Sequence, residues 1–459
     1  MDLEAIKTFN PWWINTKYRF DLQNYIERHV HKEIEKYFNV PQIISLLGLR
    51  RSGKTTLMQQ YINKLLNAQT PSESIFFFSF EDYLGKNEPE ILEDIINIYL
   101  QKFLQKDIWD IKSIHYIFLD EIQYINHWQD LVKRFYDKNR NLKFIISGSF
   151  SSVIKKKSTE SLAGRIFEIN IPLLSFSEYC SLKNVFQEIP FFSIKNLLDI
   201  SSSDIKKIEK FNDLNSRKIE IIYSDYLYKG QFPEISLFKD ESMVNNYIRG
   251  SILKKILTED APKIYKIEKI GEFASIYKII SKETGNLFEI LNLAREVGIN
   301  KDTLNNYLYY MEQLFLIRLI YNYTRKLRHQ YRIQKKIYIS SPNFTCNELN
   351  INSNSSAFSL IVGNLVETAV YQIISKEFEN VSFWRYRDKE VDFIIEDGEN
   401  VIPIEVKYVN KLLPKHLKNL LYFLEYNKLG YGIVITKNEI NLTTIDGKKI
   451  LFLPVWALE

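Results

Sequence analysis

Cysteine is close to absent from this chain. Two residues in 459, Cys180 and Cys346, lie far apart and without metal-type spacing, which suits a reducing, cytoplasmic setting. Histidine is scarce as well: six scattered residues give no zinc constellation, and His29 and His31 read as the solvated face of a helix. No apolar run approaches the ~20 residues that span a bilayer. The opening Met1-Asp2-Leu3-Glu4-Ala5-Ile6-Lys7 carries acidic side chains and no apolar core, so it does not read as a secretory signal, and no membrane partner is expected. An excess of one charge is missing too. Against 56 acidic residues stand 61 basic ones, a net +5 that says little about nucleic acid. Lys, Ile, Asn, Tyr and Phe are enriched evenly, so single lysine runs carry little weight, and there is no internal repeat. Glycine is sparse at 15 residues, which gives weight to the place where it is regularly spaced.

What is present is length enough for about three domains, each with its own core, and a stretch from Ile43 to Met58 that organises the first of them. Gly48, Gly53, Lys54 and Thr55 meet the spacing G-x-x-x-x-G-K-[ST]. The apolar run Ile43–Leu47 before them predicts a buried strand, and Leu57, Met58, Tyr61, Ile62, Leu65 and Leu66 recur at helical spacing after them. In such a strand–loop–helix, the backbone N–H groups of Gly48, Leu49, Arg50, Arg51, Ser52, Gly53, Lys54, Thr55 and Thr56 would point at phosphate oxygens at the positive end of the helix dipole. Lys54 would reach the β- and γ-phosphates of ATP, and the Thr55 hydroxyl would complete a Mg²⁺ shell.

Residues 41–180 alternate strand and helix, which predicts a parallel α/β sheet. Ser74–Phe80 reads as a doubly buried strand, followed by a helix over 89–104. The strand from Ile114 to Leu119 ends in Asp120 and Glu121. At that spacing from Lys54, Asp120 would hold the water shell of Mg²⁺ and Glu121 would orient and deprotonate the attacking water. The strand Leu142–Ile146 ends in Ser147-Gly148-Ser149, which would lie between these two elements. Ser147 or Ser149 would sense the γ-phosphate there, or simply form a small-residue turn. Arg165 after Leu162-Ala163-Gly164 would reach a nucleotide in cis or across a subunit interface, leaving room for a homo-oligomer, or would hold a structural carboxylate. Before this domain, residues 1–40 form an approach segment with the aromatic turn Phe9-Asn10-Pro11-Trp12-Trp13 and an expected helix from Asp21 to Phe38.

Taken in order, Asn10-Pro11-Trp12-Trp13, the Gly48–Thr55 loop, Leu119-Asp120-Glu121-Ile122-Gln123, Ser147-Gly148-Ser149, Leu162-Ala163-Gly164-Arg165 and Pro172–Tyr179 resemble a family of prokaryotic AAA-type ATPases that carry a C-terminal domain of unknown function, DUF4143. The resemblance spans nearly the whole chain. It implies an ATPase core, a winged helix and a nuclease-like domain. The sequence departs from it in two places. Gln231 stands in Tyr228-Lys229-Gly230-Gln231-Phe232-Pro233 where the family has a second glycine, and Ile337-Tyr338-Ile339-Ser340-Ser341 lacks the usual aspartate.

Residues 181–244 are polar and read as a helical insertion or lid. Over 245–340, one helix on Leu287, Ile290, Leu291, Ala294 and Val297, the turn Gly298-Ile299-Asn300, and a second helix on Leu304, Leu308, Met311 and Phe315 make a helix-turn-helix. A wing strand follows from Leu316 to Tyr323. A DNA reader of this shape would present Lys301, Thr303, Asn305 and Asn306 outward, with Arg325, Lys326, Arg328, Arg332, Lys335 and Lys336 suited to phosphates. The same shape serves equally as a protein-packing module.

From 355 to 459 the order is helix, three strands, helix, strand, an αβββαβ restriction-endonuclease-like core. Asp392 and Glu405-Val406-Lys407, with Glu367 on the first helix, resemble the PD-(D/E)xK signature, although Val391 replaces its proline. Glu405 and Lys407 share one strand face. Glu367, Asp392 and Glu405 would hold one or two Mg²⁺ ions, and Lys407 would orient the nucleophile. The expected function is an ATP-hydrolysing machine directed at nucleic acid, DNA first, whose last domain is able to cut. The alternative is an ATPase switch whose last domains bind DNA or protein without cleavage.

Overall fold

Every residue of β1 (Ile43–Leu47) is buried, so it needs neighbours on both edges and layers on both faces. The computed structural model, which describes residues 2–81, 89–149, 162–186, 188–324 and 335–459, supplies them. β2 (Ile75–Ser79), β3 (His115–Asp120), β4 (Leu142–Gly148) and β5 (Ile166–Asn170) join β1 in a five-stranded sheet of order β2-β3-β4-β1-β5, parallel throughout. The helix after the glycine loop, Lys54–Asn67, buries the six apolar positions expected of it. The helix expected over 89–104 is α-helical for Pro89–Asn97 and widens to a π-helix over Ile98–Phe103. The chain divides into two units, residues 1–172 with 313–315, and residues 173–312 with 316–459.

β2 is an edge strand, and the Asn-Pro-Trp-Trp turn covers it. Asn10 donates through Nδ2 to the Phe77 carbonyl (3.0 Å) and accepts from the Phe77 N–H (2.7 Å). Both indoles, Trp12 and Trp13, donate to the Ile75 carbonyl at 3.0 and 2.9 Å. The turn thus takes up edge groups that would otherwise pair with another chain. Asn10→Ala strands two buried backbone groups and should destabilise this unit by about 2–4 kcal/mol, read as a lowered urea midpoint; a change under about 0.5 kcal/mol would mean that the edge is satisfied some other way.

The helix expected from Asp21 is formed only over His31–Phe38. Side-chain amides of the Lys54–Asn67 helix take the backbone groups upstream: Asn63 bonds Phe20 N and O, and Gln60 bonds Ile26 O. That competes with helical pairing. His31 is not solvated either. It is buried, its Nε2 lies 2.9 Å from Gln60 Oε1, and its ring stacks on Tyr61.

His115 at the start of β3 is buried, with Nδ1 2.7 Å from the Tyr99 hydroxyl. Because Tyr99 donates its proton to the Glu73 carbonyl, Nδ1–H is the donor to Tyr99. Burial, with Lys106 adding to it, pushes His115 down to about 4. A folded pKa below the ordinary value means stability present above pH 6.5 and lost as pH falls toward 4. Urea midpoints should therefore fall more steeply over that window in wild type than in His115→Gln; parallel curves would refute a neutral buried imidazole.

In the second unit a mixed nine-stranded sheet runs, edge to edge, through residues 441–445, 448–454, 431–436, 400–407, 389–397, 381–386, 317–322, 335–339 and 287–288. A helix, Ile270–Lys282, precedes β6 (Leu287–Phe288); then come helices Ile290–Val297 and Lys301–Gln313, and the antiparallel pair β7 (Ile317–Asn322) and β8 (Lys335–Ile339). In the first of the two helices Leu293 and Ala294 are the buried positions, whereas Leu291, expected on the apolar face, is 54% exposed. Helix Ser356–Glu377 leads to β9 (Val381–Tyr386), β10 (Lys389–Asp397) and β11 (Asn400–Lys407), then helix Lys418–Tyr426 and β12 (Tyr431–Thr436). The αβββαβ order is thus present, and β13 (Asn441–Ile445) and β14 (Lys448–Pro454) extend it.

The 245–340 region and the last domain share this one sheet, because β7 pairs in parallel with β9. Residues 181–244 do not stand apart as an insertion. The Phe192–Leu458 bridge, the Tyr431 bond to Leu197 and the Lys437–Glu220 ion pair fix them to the C-terminal strands. Gln231, in the place of a family glycine, is buried and bonds Gln372 and Ser341. Ser341, near the missing aspartate, caps the helix Pro342–Leu349. By length and composition Ser356–Glu377 could cross a membrane, but half of its most apolar window is buried inside the protein, as in a core helix.

Candidate functional sites: the glycine loop and the carboxylate cluster

The first site forms where β1, β3 and β4 end together. Gly48 is required there, since a Cβ would sit 2.5 Å from the Ile171 carbonyl oxygen. Gly53 takes φ +98° as the loop enters its helix, a conformation glycine adopts freely. Lys54 turns back over the loop, donating to the carbonyls of Gly48 (3.1 Å) and Leu49 (3.2 Å) and to Ser149 Oγ (2.9 Å), with Glu121 Oε1 at 3.7 Å. Thr55 Oγ1 donates to Asp120 Oδ2 at 2.7 Å, and Ser147 donates to Asp120 Oδ1. Ser147 Oγ also accepts from the Glu121 N–H, and Ser149 Oγ donates to the Glu121 carboxylate at 3.0 and 3.1 Å. Both serines are therefore built into the site, because β4 lies between β1 and β3.

The two carboxyls differ in charge preference. Burial, and then Glu121 beside it, pushes Asp120 up. Burial works against ionised Glu121 as well, but Lys54, Gln123, Arg50 and Ser149 outweigh it and hold that carboxyl below the ordinary range. Glu121 has φ +52°, a left-handed conformation that costs a non-glycine residue of order 1 kcal/mol and is common at functional sites. Ser52 Oγ is buried with no partner in the loop. An orphaned hydroxyl in the loop, with Thr55 and Asp120 side by side and a buried acidic pair, fits a phosphate carrying Mg²⁺.

Several loop residues have other duties. Arg50 is buried and pairs with Glu81, and Arg51 is exposed at φ +66°. Thr56 is half-buried in the helix's first turn. Arg165 is not part of the site. It makes a two-point pair with Asp137 (2.8 and 3.2 Å) next to the start of β5, whose first residue registers with Ile43. The loop follows the other end of β1, some five residues or about 16 Å away. The structural-carboxylate alternative is the one observed, and the cis role is corrected.

The second site is a buried cluster in the nine-stranded sheet. The register of β10 shifts between Val391 and Ile394, over Asp392 and Phe393, and such irregularities re-aim side chains. Asp392 Oδ2 accepts from Val406 N–H (2.8 Å), while Lys407 Nζ lies 2.5 Å from Glu405 Oε1 and 3.7 Å from Asp392 Oδ2. On the other side Lys336 of β8, 3% exposed, reaches Glu390 (2.7 Å), Glu367 (3.2 Å) and Asp392 Oδ1 (3.9 Å). Tyr338 donates to Glu367 Oε1 at 2.5 Å. Burial raises Glu405 and Glu367, with Asp392 adding to each. Burial opposes the charges of Lys336 and Lys407, yet the surrounding carboxylates raise both.

Glu367, Asp392, Glu405 and Lys407 thus do converge. The three carboxylates meet two ammonium groups, Lys336 and Lys407, and among the described residues no group of three or more Asp, Glu, His or Cys side chains is disposed to hold a metal. Within the cluster one buried side-chain oxygen, Glu405 Oε2, lacks a partner. A single such oxygen does not make a Mg²⁺ site, so the expected metal role of Glu367, Asp392 and Glu405 does not fit this arrangement. Lys336, expected on the surface for phosphate, is corrected to this buried place; Arg325, Lys326, Arg328 and Arg332 lie outside the described residues.

Family models match three successive stretches: an AAA domain over residues 40–180, a domain of unknown function, DUF8612, over 221–355, and a domain of unknown function, DUF4143, over 362–458. The chain is an AAA-type P-loop protein with a C-terminal DUF4143 domain. Full-length relatives share this span. The uncharacterized protein MJ1544 of Methanocaldococcus jannaschii is 28% identical over 93% of this chain and 90% of its own length. An uncharacterized protein of Haemophilus influenzae is 22% identical over 95% of this chain and 98% of its own. Among solved structures, a Thermotoga maritima RuvB variant aligns at TM-score 0.28 and 14% identity, over 69% of this chain and 89% of that one.

Two residues of the AAA site were given no role from the sequence. Gln123 donates to Glu121 Oε2; its one signal is its position two residues after Glu121. Arg28 donates to the carbonyls of Ser52 (3.1 Å) and Pro172 (2.8 Å), tying the glycine loop to the strand end beside it. It lies 24 residues before Ser52, inside the stretch expected to be helical from Asp21, and no spacing rule points to it. In the DUF4143 cluster Glu390 was likewise missed and Lys336 was given another role, because both sit outside the Asp…Glu-x-Lys pattern.

Proposed function

We propose that this protein binds ATP with Mg²⁺ in the glycine loop and hydrolyses it, and that its C-terminal region reads the nucleotide state as a nucleic-acid-binding module that does not cut in the conformation described. The observation that carries the ATPase reading is the continuous network Thr55–Asp120–Ser147 and Lys54–Ser149–Glu121. Bound Mg²⁺ would supply charge neutralisation on the phosphate oxygens. Lys54 gives up its loop carbonyls and Ser149 for the β- and γ-oxygens. Glu121, freed from Lys54 and held by Gln123, orients the attacking water and takes its proton. Ser149, touching both, couples phosphate occupancy to the base.

The non-cleaving alternative is favoured by the ammonium-filled cluster. Nucleic-acid binding rests on the helix-turn-helix pair 290–297 and 301–313, which leaves Lys301 and Asn306 exposed; Thr303 and Asn305 are half-buried there. Anisotropy with labelled double-stranded DNA, single-stranded DNA and RNA tests it: affinity should fall with salt and weaken in Lys301→Glu, and no binding to any of the three at low salt would end this part of the reading. In a homo-oligomer Arg165 would have to leave Asp137 to serve a neighbour's nucleotide; sedimentation with and without ATP tests that assembly.

A further inference from the structure

The cluster in the DUF4143 domain contains a cation that its own αβββ frame does not supply. Glu367 comes from the helix Ser356–Glu377, Glu390 and Asp392 from β10, and Glu405 and Lys407 from β11. Lys336 comes from β8, in the β7–β8 pair that follows the helix-turn-helix. Its side chain is almost wholly buried, and it is the group that bridges Glu367, Glu390 and Asp392. The residues on every side are accounted for: Tyr338 on Glu367, Lys407 between Glu405 and Asp392, the Phe383 ring 5.8 Å from Nζ, and Gly285, where a Cβ would lie 3.4 Å from Glu367 Oε1.

We propose that Lys336 is a built-in counter-cation that occupies the carboxylate cluster of the DUF4143 domain in place of a divalent metal, so that this site becomes a metal site only when the Lys336 ammonium is removed from it. A buried group of carboxylates must be neutralised by something. The Lys336 ammonium does so at hydrogen-bond distance from Glu390 and Glu367 and at 3.9 Å from Asp392, and its charge between Glu367 and Asp392 repels a second cation. Lys336 belongs to the strand pair joined to the helix-turn-helix, so a rearrangement of that pair would withdraw the ammonium and leave the carboxylates of β10 and β11 open. The helix-turn-helix and the carboxylate site are thereby linked through one side chain. This inference is independent of ATP hydrolysis and of nucleic-acid binding, neither of which enters its test.

The test is Mn²⁺ titration of the full chain by calorimetry in phosphate-free, nucleotide-free buffer, with wild type, Lys336→Met, and each again with Asp392→Asn. The Asp392→Asn arms separate this cluster from any ion at Thr55 and Asp120. Wild type should show no Asp392-dependent uptake, and Lys336→Met should gain a site at least about tenfold tighter that Asp392→Asn removes. Asp392-dependent Mn²⁺ binding by wild type overturns the proposal. So does the absence of a new site in a folded Lys336→Met protein, since the ammonium would then not be what closes the cluster. If Lys336→Met does not fold, Lys336→Met/Glu390→Gln removes both members of the 2.7 Å pair and keeps Glu367, Asp392 and Glu405 for the same titration.

Discussion

Glu121→Gln leaves ATP bound and unhydrolysed: kcat should fall by about 10²–10⁴-fold, the range contributed by a positioned general base, with ATP affinity unchanged or higher. The reason is geometric. Glutamine keeps the size of the side chain and its bond with Ser149, but it has no basic carboxylate and no charge opposite Lys54. Lys54→Ala acts on a different step. It removes the ammonium that lies among the Gly48 and Leu49 carbonyls, Ser149 and Glu121, and so should weaken ATP binding as well as turnover. Turnover by phosphate release, together with binding of a fluorescent ATP analogue, separates the two variants. A Glu121→Gln protein that turns over within about threefold of wild type would remove Glu121 from its role, because a loss that small is under about 1 kcal/mol.

Lys336→Met should destabilise the second unit by about 3–5 kcal/mol, the cost of leaving a buried ion pair without one partner. The expected loss exceeds that of breaking a surface pair, because Glu367, Glu390 and Asp392 would be left facing each other at low exposure. Lys64 and Glu35 offer the comparison: both are largely exposed, so Lys64→Ala should leave the denaturation midpoint almost unchanged. Chemical denaturation followed by intrinsic fluorescence measures both. Equal small losses would mean that solvent reaches Lys336 and that the cluster is not buried in solution. Partial recovery in Lys336→Met/Glu390→Gln is expected, since that pair of changes removes a charge of each sign.

How much of this was legible depended on whether the determining contacts are local. The strand, loop and helix around Gly48–Thr55 could be read because their chemistry follows chain order: apolar run, glycines for the turn, lysine and threonine at the helix start. The αβββαβ order of the last domain was legible for a similar reason, each element carrying its own periodicity. The helix expected from Asp21 was misread because Asn63 and Gln60, some forty and thirty residues later, capture the backbone that a helix would have used. Arg165 was ambiguous because an arginine's partner is chosen in space, and the fold sets Asp137 within hydrogen-bond reach of it.

By itself the sequence determined that this is an AAA-type P-loop protein, where its glycine loop and the Asp120-Glu121 strand end lie, and that a Glu-x-Lys strand lies in a C-terminal αβββ frame. Only the tertiary structure decided what that last site contains. Lys336 is 69 residues from Glu405 in the chain, on a strand that reads as part of a different domain, and it enters the cluster because β7 pairs with β9 and brings β8 alongside. Strand pairing across domains leaves no periodicity or spacing to read, since it is fixed by backbone hydrogen bonds common to all residues. Charge neutralisation in a buried site then depends on which side chains those pairings deliver.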